Sequence, residues 1–282
     1  MPELPEVETV CRGLNQLTIK QPIENGQILL ERTLAYPSSK EEFSQNIKGK
    51  QILFWKRRGK YLLAHLTNSE QQPEGLLGVH LRMTGQLLWT KQTEALQKHT
   101  RVRLFFPKNQ ELRFIDTRTF GKIWLLPPKT PPENIITGLQ KLGPEPFGAD
   151  FSIAYFSAKL KKRRRNIKTL LLDQEIVAGI GNIYADESLF KSGILPQTIA
   201  TDLSPKQITE LHKAILDVLK EGISKGGTSF SDFLNLLGVN GNYGNFAWVY
   251  GRKDKPCRVC STPIKKIKLG GRSSHFCPNC QQ

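Results

Sequence analysis

The sequence predicts an α+β chain of more than one domain. Three observations point to it. Between about residues 20 and 130, short apolar–polar alternations are separated by Gly, Pro and Asn breakers. From 151 to about 226, apolar residues recur at helical spacing. The last 26 residues hold four of the five cysteines, in two CxxC pairs. A chain of 282 residues allows about two domains and a sizeable core.

The first element is a helix. Val7, Val10, Cys11, Leu14 and Leu17 fall at i, i+3, i+4, i+7 and i+10, one apolar face. Before and within it run Pro2, Glu3, Glu6 and Glu8. Read alone, the three glutamates suit the positive end of the helix. Then come GKQILFWKRRGKYLLAHL, GLLGVHLRMTGQLLW, TRVRLFFPKNQELRFIDT and FGKIWLLP. Short strands with hairpin-like joins predict a β-sandwich or barrel, closing a domain over 1–130. The Pro- and Gly-rich stretch 131–150 reads as a linker.

A helical domain follows over 151–235. FSIAYFSAKLKKRRRNIKTLLLDQE gives one or two helices and DESLFKSGI another. LSPKQITELHKAILDVLKEGIS carries Ser204 as N-cap and Pro205 at the first helical position. Within 236–250, GVNGNYGN is rich in Gly and Asn and reads as a mobile loop. Residues 251–282 form the last unit.

In that unit 16 residues separate the pair Cys257 and Cys260 from the pair Cys277 and Cys280. The spacing matches a four-cysteine zinc ribbon, each pair bending round one side of a tetrahedral ion. Two disulfides would need an oxidising compartment, and an iron–sulfur cluster is the lesser rival. Four thiolates complete the coordination, so the Zn²⁺ is structural. A ribbon this short draws much of its folding energy from the metal. Its hairpin, KKIKLGGRSSHF, uses a GG turn to hold Arg272 where it can reach phosphate.

Charge narrows the partner. Forty-one Lys and Arg against 25 Asp and Glu give +16, which favours a polyanion, nucleic acid first. The sequence has no apolar run long enough for a membrane span and no signal-peptide pattern. A cytoplasmic protein, nucleoid-associated through DNA, is expected.

PELPEVETV at the start, GNIYADESLF in the middle and CRVC…CPNC at the end together resemble the formamidopyrimidine-DNA glycosylase family, over the whole chain. The resemblance implies an N-terminal β-sandwich with flanking helices, a helix–two-turn–helix domain and the zinc ribbon. It implies a monomer acting on double-stranded DNA that contains oxidised purines or abasic sites. The activities implied are glycosylase and abasic-site lyase, with β,δ-elimination.

Methionine before a small residue such as proline is commonly removed, which would leave Pro2 as the terminus. In the family that secondary amine attacks C1′ of the damaged nucleotide. At pH 7 roughly a tenth of a generic α-amine is neutral, against well under a thousandth of lysine. An imine on a secondary amine must be a charged iminium, an electron sink that eases β-elimination. By resemblance Glu3 is the general acid/base and Glu6 a supporting hydrogen-bond acceptor.

The same resemblance assigns Lys60 to the phosphate flanking the lesion and to proton donation, and His80 to phosphate. Met83 joins Arg118 and Phe120 as a wedge that fills the space left by an everted nucleotide. Thr119 stands where some relatives carry a second basic residue. His99, Arg164, Asn182 and Tyr250 match DNA contacts, with Gly179 and Gly181 admitting close backbone approach. Arg272 matches the arginine that clamps phosphate and assists δ-elimination. The 238–245 segment corresponds to the loop that covers 8-oxoguanine, and no base-reading residue is assigned within it.

Two rivals remain at this point. An endonuclease VIII-type enzyme for oxidised pyrimidines shares the terminal proline and the ribbon. A non-catalytic zinc-ribbon DNA-binding protein would explain the charge and cysteines but not the opening Pro-Glu.

Overall fold

A computed structural model describes residues 1–228 and 236–282. The end of the expected helical domain, 229–235, lies outside the described residues. The chain forms two units, Met1–Gln140 with Gly226–Gly241, and Lys141–Lys225 with Asn242–Gln282.

In the first unit, helix α1 (Leu4–Leu17) buries Leu4, Val7, Val10, Cys11 and Leu14, with Leu17 packed at the margin of the core. Strands β1 (Asn25–Ile28), β2 (Leu34–Tyr36), β3 (Gln51–Arg58), β4 (Tyr61–Thr67), β5 (Pro73–His80), β6 (Gly85–Lys91), β7 (Thr100–Phe106), β8 (Gln110–Asp116) and β9 (Lys122–Leu126) follow. They make a four-stranded sheet, β1-β7-β8-β6, and a five-stranded sheet, β2-β9-β5-β4-β3. Pairing is antiparallel except for β2 with β9.

Side chains from both sheets and α1 share one core, including Leu62, Ala64, Val79, Leu104 and Phe114. That resolves the choice of sandwich or barrel in favour of a sandwich. Asn15 fastens α1 to β3 by bonding the N–H and the carbonyl of Trp55, at 2.8 and 2.9 Å.

A 3₁₀ turn, Glu31–Thr33, and one α-helix depart from the all-strand reading of 20–130. Helix α2 (Lys40–Ile47) is capped by Ser39, whose hydroxyl accepts from the Glu42 N–H at 3.2 Å. It buries only Phe43 and Ile47, too few positions to declare a period. The stretch read as a linker holds helix α3 (Pro132–Ile135) and a 3₁₀ turn, Thr137–Leu139, with Ile136 and Leu139 buried.

The second unit contains α4 (Ile153–Lys161), α5 (Ile167–Leu171), α6 (Asn182–Lys191) and α7 (Pro205–Ser224). Ser204 and Gln207 close a capping box before α7, as the Ser-Pro start predicts. Strands β10 (Lys265–Leu269) and β11 (Arg272–Phe276) form the ribbon hairpin. Gly270 and Gly271 turn it with φ of 53° and 76°, conformations that favour glycine. The segment expected to be mobile includes a short turn, Tyr243–Asn245, whose Tyr243 is buried with its ring 5.3 Å from that of Tyr184.

Candidate functional site

The chain start is held in place rather than frayed. Glu3 is the N-cap of α1 and closes a capping box with Glu6. The Glu3 N–H donates to Glu6 Oε2 at 2.8 Å. Glu6 Oε1 accepts from the Thr228 N–H at 2.8 Å and its hydroxyl at 3.2 Å. Gly227 sits so close that a Cβ there would lie 2.8 Å from Glu6 Oε1, and its φ is +79°. Pro2 and Glu3 are both buried. Pro2 is therefore presented by a braced helix end.

Glu8 does more than complement the helix dipole. It pairs with Arg12 and Arg57, each at 2.9 Å. Burial opposes its ionisation, but the two guanidinium groups outweigh burial and hold the carboxyl below its usual range. Arg57 also donates to the Gly59 carbonyl at 3.0 Å, which steadies the β3–β4 turn that carries Lys60. Sequence reasoning missed Arg57, because its partner lies 49 positions away.

Lys60 is buried and directly precedes Tyr61, which pairs in register with His80 on β5. The two rings meet edge-on at 4.4 Å. His80 Nδ1 accepts from the Arg82 N–H at 3.0 Å, which assigns its proton to Nε2. Burial, then the Arg82 and Lys60 charges, push His80 down to about 3. At neutral pH it is thus a neutral ring with one N–H donor, suited to an anionic oxygen. Met83, half-buried, lies on the turn between β5 and β6. Arg118 and Phe120 are exposed on the β8–β9 turn, the guanidinium 4.9 Å from the ring centre. His99 lies before β7, its Nδ1 3.0 Å from Arg101 Nη2.

In the second unit the basic run 161–165 is only partly solvated. Arg163 and Arg165 turn to Asp173, at 2.9 and 3.9 Å. Arg164 between them is exposed, with no ion pair among the described residues. Asn182 opens α6 after Gly181, and its Oδ1 is buried without a hydrogen-bond partner among the described residues. The N–H groups of a first helical turn lack intrahelical acceptors and take partners from outside the helix.

Two adjacent acids on α6, missed in the sequence, organise the rest. Asp186 binds Lys168 at 2.6 Å, and accepts from the His275 N–H at 2.9 Å. His275 Nδ1 stands 3.2 Å from the same carboxyl group. Lys168 also donates to the Ser273 carbonyl at 2.6 Å. β11, which begins with Arg272, is pinned in this way. Glu187 accepts from the N–H groups of Trp248, Val249 and Tyr250, at 2.8, 3.0 and 2.8 Å. Burial raises its carboxyl despite these donors. Tyr250 then packs its ring 5.0 Å from that of His275. The sequence marks this pair only as two neighbouring acids within NIYADESLFK, with no spacing that names their partners.

The four ribbon thiols lie within 4.8 Å of one another. Cys257 and Cys280 are 3.9 Å apart, and Cys260 stands 3.4 Å from both Cys277 and Cys280. A tetrahedral thiolate cage round zinc has S–S edges of about 3.8 Å. The residues fit one Zn²⁺ with no open coordination position.

Comparison with known proteins bears on the whole chain. The family model of the formamidopyrimidine-DNA glycosylase N-terminal domain matches residues 1–123, and that of its H2TH domain matches 142–233. A zinc finger found in FPG and IleRS matches 254–282. The formamidopyrimidine-DNA glycosylase of Rippkaea orientalis is 64% identical over 281 residues, with full coverage of both chains. That of Nostoc punctiforme is 62% identical, covering all of this chain and 96% of the relative. A Lactococcus lactis FPG mutant, solved in complex with a Fapy-dG containing DNA, superposes with a TM-score of 0.90 at 35% identity, covering 100% of each chain. The Lactococcus lactis Fpg complex with an abasic site containing DNA gives 0.89 at 35% identity and 99% coverage of each chain.

Fold, site and likeness together define a base-excision DNA glycosylase with a structural zinc ribbon. The chain belongs to the formamidopyrimidine-DNA glycosylase family. No described helix is long and apolar enough to cross a membrane.

Proposed function

We propose that this chain excises oxidised purines, 8-oxoguanine opposite cytosine and ring-opened formamidopyrimidines, from duplex DNA. It then cuts the abasic site by β,δ-elimination through a Schiff base on Pro2. The observation that carries this reading is the braced start, with Pro2 beside a buried Glu3 and Glu6 locked between the Glu3 and Thr228 N–H groups.

With Met1 removed, the Pro2 nitrogen attacks C1′ and the base departs with its bonding pair. Glu3 supplies a proton to the deoxyribose oxygen and the ring opens to an iminium. Loss of a C2′ proton into that sink expels the 3′ phosphate. Lys60 and His80 contact the flanking phosphate, and Lys60 donates a proton during this elimination. Arg272 clamps phosphate and assists the second elimination. Met83, Arg118 and Phe120 fill the gap, with Arg118 donating to the estranged cytosine. His99, Arg164, Asn182 and Tyr250 bind the backbone, and Glu6 supports Glu3. The Fapy-dG and abasic-site DNAs of the Lactococcus lactis complexes favour this substrate class.

A second reading, activity on oxidised pyrimidines, is favoured by another Lactococcus lactis complex, which holds an oxidized pyrimidine containing DNA. Rates of excision of thymine glycol and 8-oxoguanine under one condition decide between them, and a faster thymine glycol reaction selects the second. The chemistry is tested by borohydride reduction on an 8-oxoguanine duplex. The sugar remnant should map to Pro2, and chains that retain Met1 should not trap. A remnant on a lysine would overturn the nucleophile assignment.

A further inference from the structure

Asp116, the last residue of β8, is buried at 1% exposure. Its carboxyl group accepts three hydrogen bonds, all from the turns that carry the wedge. Oδ1 takes the Thr84 hydroxyl at 2.5 Å and the Arg118 N–H at 3.2 Å. Oδ2 takes the Gly121 N–H at 2.7 Å. The Thr84 hydroxyl in turn accepts from the Arg118 N–H at 3.1 Å. Thr84 directly follows Met83, while Arg118 and Gly121 bracket Thr119 and Phe120. One carboxyl and one hydroxyl therefore join two turns that are 34 positions apart in the chain.

The turns need such a joint. Arg82 and Thr119 both adopt left-handed backbone, at φ of 54° and 58°, which costs a non-glycine residue free energy and persists only where surrounding bonds fix it. Gly121 lies against the core, since a Cβ there would come within 2.4 Å of Phe114 Cζ. The main chain of Asp116 also reaches His99. Its N–H donates to the His99 carbonyl at 2.9 Å, and its carbonyl accepts from Arg101 Nε at 2.8 Å.

We infer that the Asp116–Thr84 pair is the positioning device of the wedge. It sets the placement of Met83 relative to Arg118 and Phe120, and through them the eversion of the damaged nucleotide and the grip on the opposite base. Neither residue touches the reacting atoms in this scheme. The inference rests on the reading of Met83, Arg118 and Phe120 as the wedge. Its signature is selective, because an abasic site has no damaged base left to evert.

The test uses the full-length zinc-loaded enzyme under single-turnover conditions. Thr84→Val keeps the shape and removes the hydroxyl. It should slow excision of 8-oxoguanine opposite cytosine by about tenfold and flatten the preference for cytosine over adenine opposite the lesion. Cleavage of a preformed abasic site should stay within about twofold. Thr84→Ser should restore both excision and preference. Asp116→Asn, which places an amide before a second donor, should give the same pattern more strongly. Excision unchanged in Thr84→Val, or excision and abasic cleavage lost in equal proportion, overturns the inference. Met83→Ala and Phe120→Ala separate the two layers. If they alter the opposite-base preference and Thr84→Val does not, the positioning role falls alone. If none of them alters it, the wedge reading falls and the positioning role with it.

Discussion

His80 is a residue whose chemistry is set by its neighbours rather than its type. A lone histidine in a strand reads as structural, and the resemblance alone suggests phosphate. Its burial beside Lys60 and Arg82 makes it a neutral donor, and it also makes a stability prediction. The unfolded chain binds a proton near 6.5, whereas the folded protein resists it until about 3. The unfolded state therefore takes up the proton first as pH falls. The stabilising contribution is complete above 6.5 and is lost between 6.5 and 3. His80→Gln should flatten the pH dependence of the urea midpoint in that window, and parallel curves for the two proteins would contradict it. The candidate residues were legible because the opening Pro-Glu, the basic residues and the CxxC pairs are recognisable by type and spacing. The residues that aim them were not. Arg57, Asp116 and Glu187 act on partners 49, 32 and 61 positions away, and no local pattern encodes such a partner.

At the scale of elements, legibility followed how many residues repeat a signal. Helix α1 shows its face four times over, and α7 announces its start with Ser204 and Pro205. Helix α2 repeats its signal only at Phe43 and Ile47 and reads as strand. Strand β4 is buried on nearly every residue, so its alternation is blurred, yet a short apolar run after a Gly breaker still marks a strand. The docking of β11 depends on an ion pair with no exposure on either side chain, Lys168 with Asp186. Removing one partner of such a pair leaves an uncompensated buried charge and costs about 3–5 kcal/mol. Lys168→Met should lower stability by about that amount in denaturant unfolding and speed amide exchange along β11. A loss below about 1 kcal/mol would mean that water already reaches the pair.

At the scale of the whole molecule, a charge of +16 makes binding a matter of counterion release. Arg164→Gln should weaken binding to all duplexes alike and reduce the slope of log affinity against log salt by about 1. An unchanged slope would show that Arg164 meets no phosphate. Chelation should release one zinc per chain and unfold the ribbon while the β-sheet signal of the first unit persists. Simultaneous loss of both would show that the ribbon is not separately maintained. The make-up of that first unit has one more consequence. Leu236 belongs to its core, gives its carbonyl to the Trp89 N–H at 2.9 Å, and follows by a few residues the Thr228 that answers Glu6. On a translating ribosome the opening 140 residues would thus wait for 241 to emerge. At roughly 5–20 residues per second that is about 5–20 s during which the nascent sandwich lacks its final piece. The enzyme cannot finish assembling its reactive end until most of the message has been read.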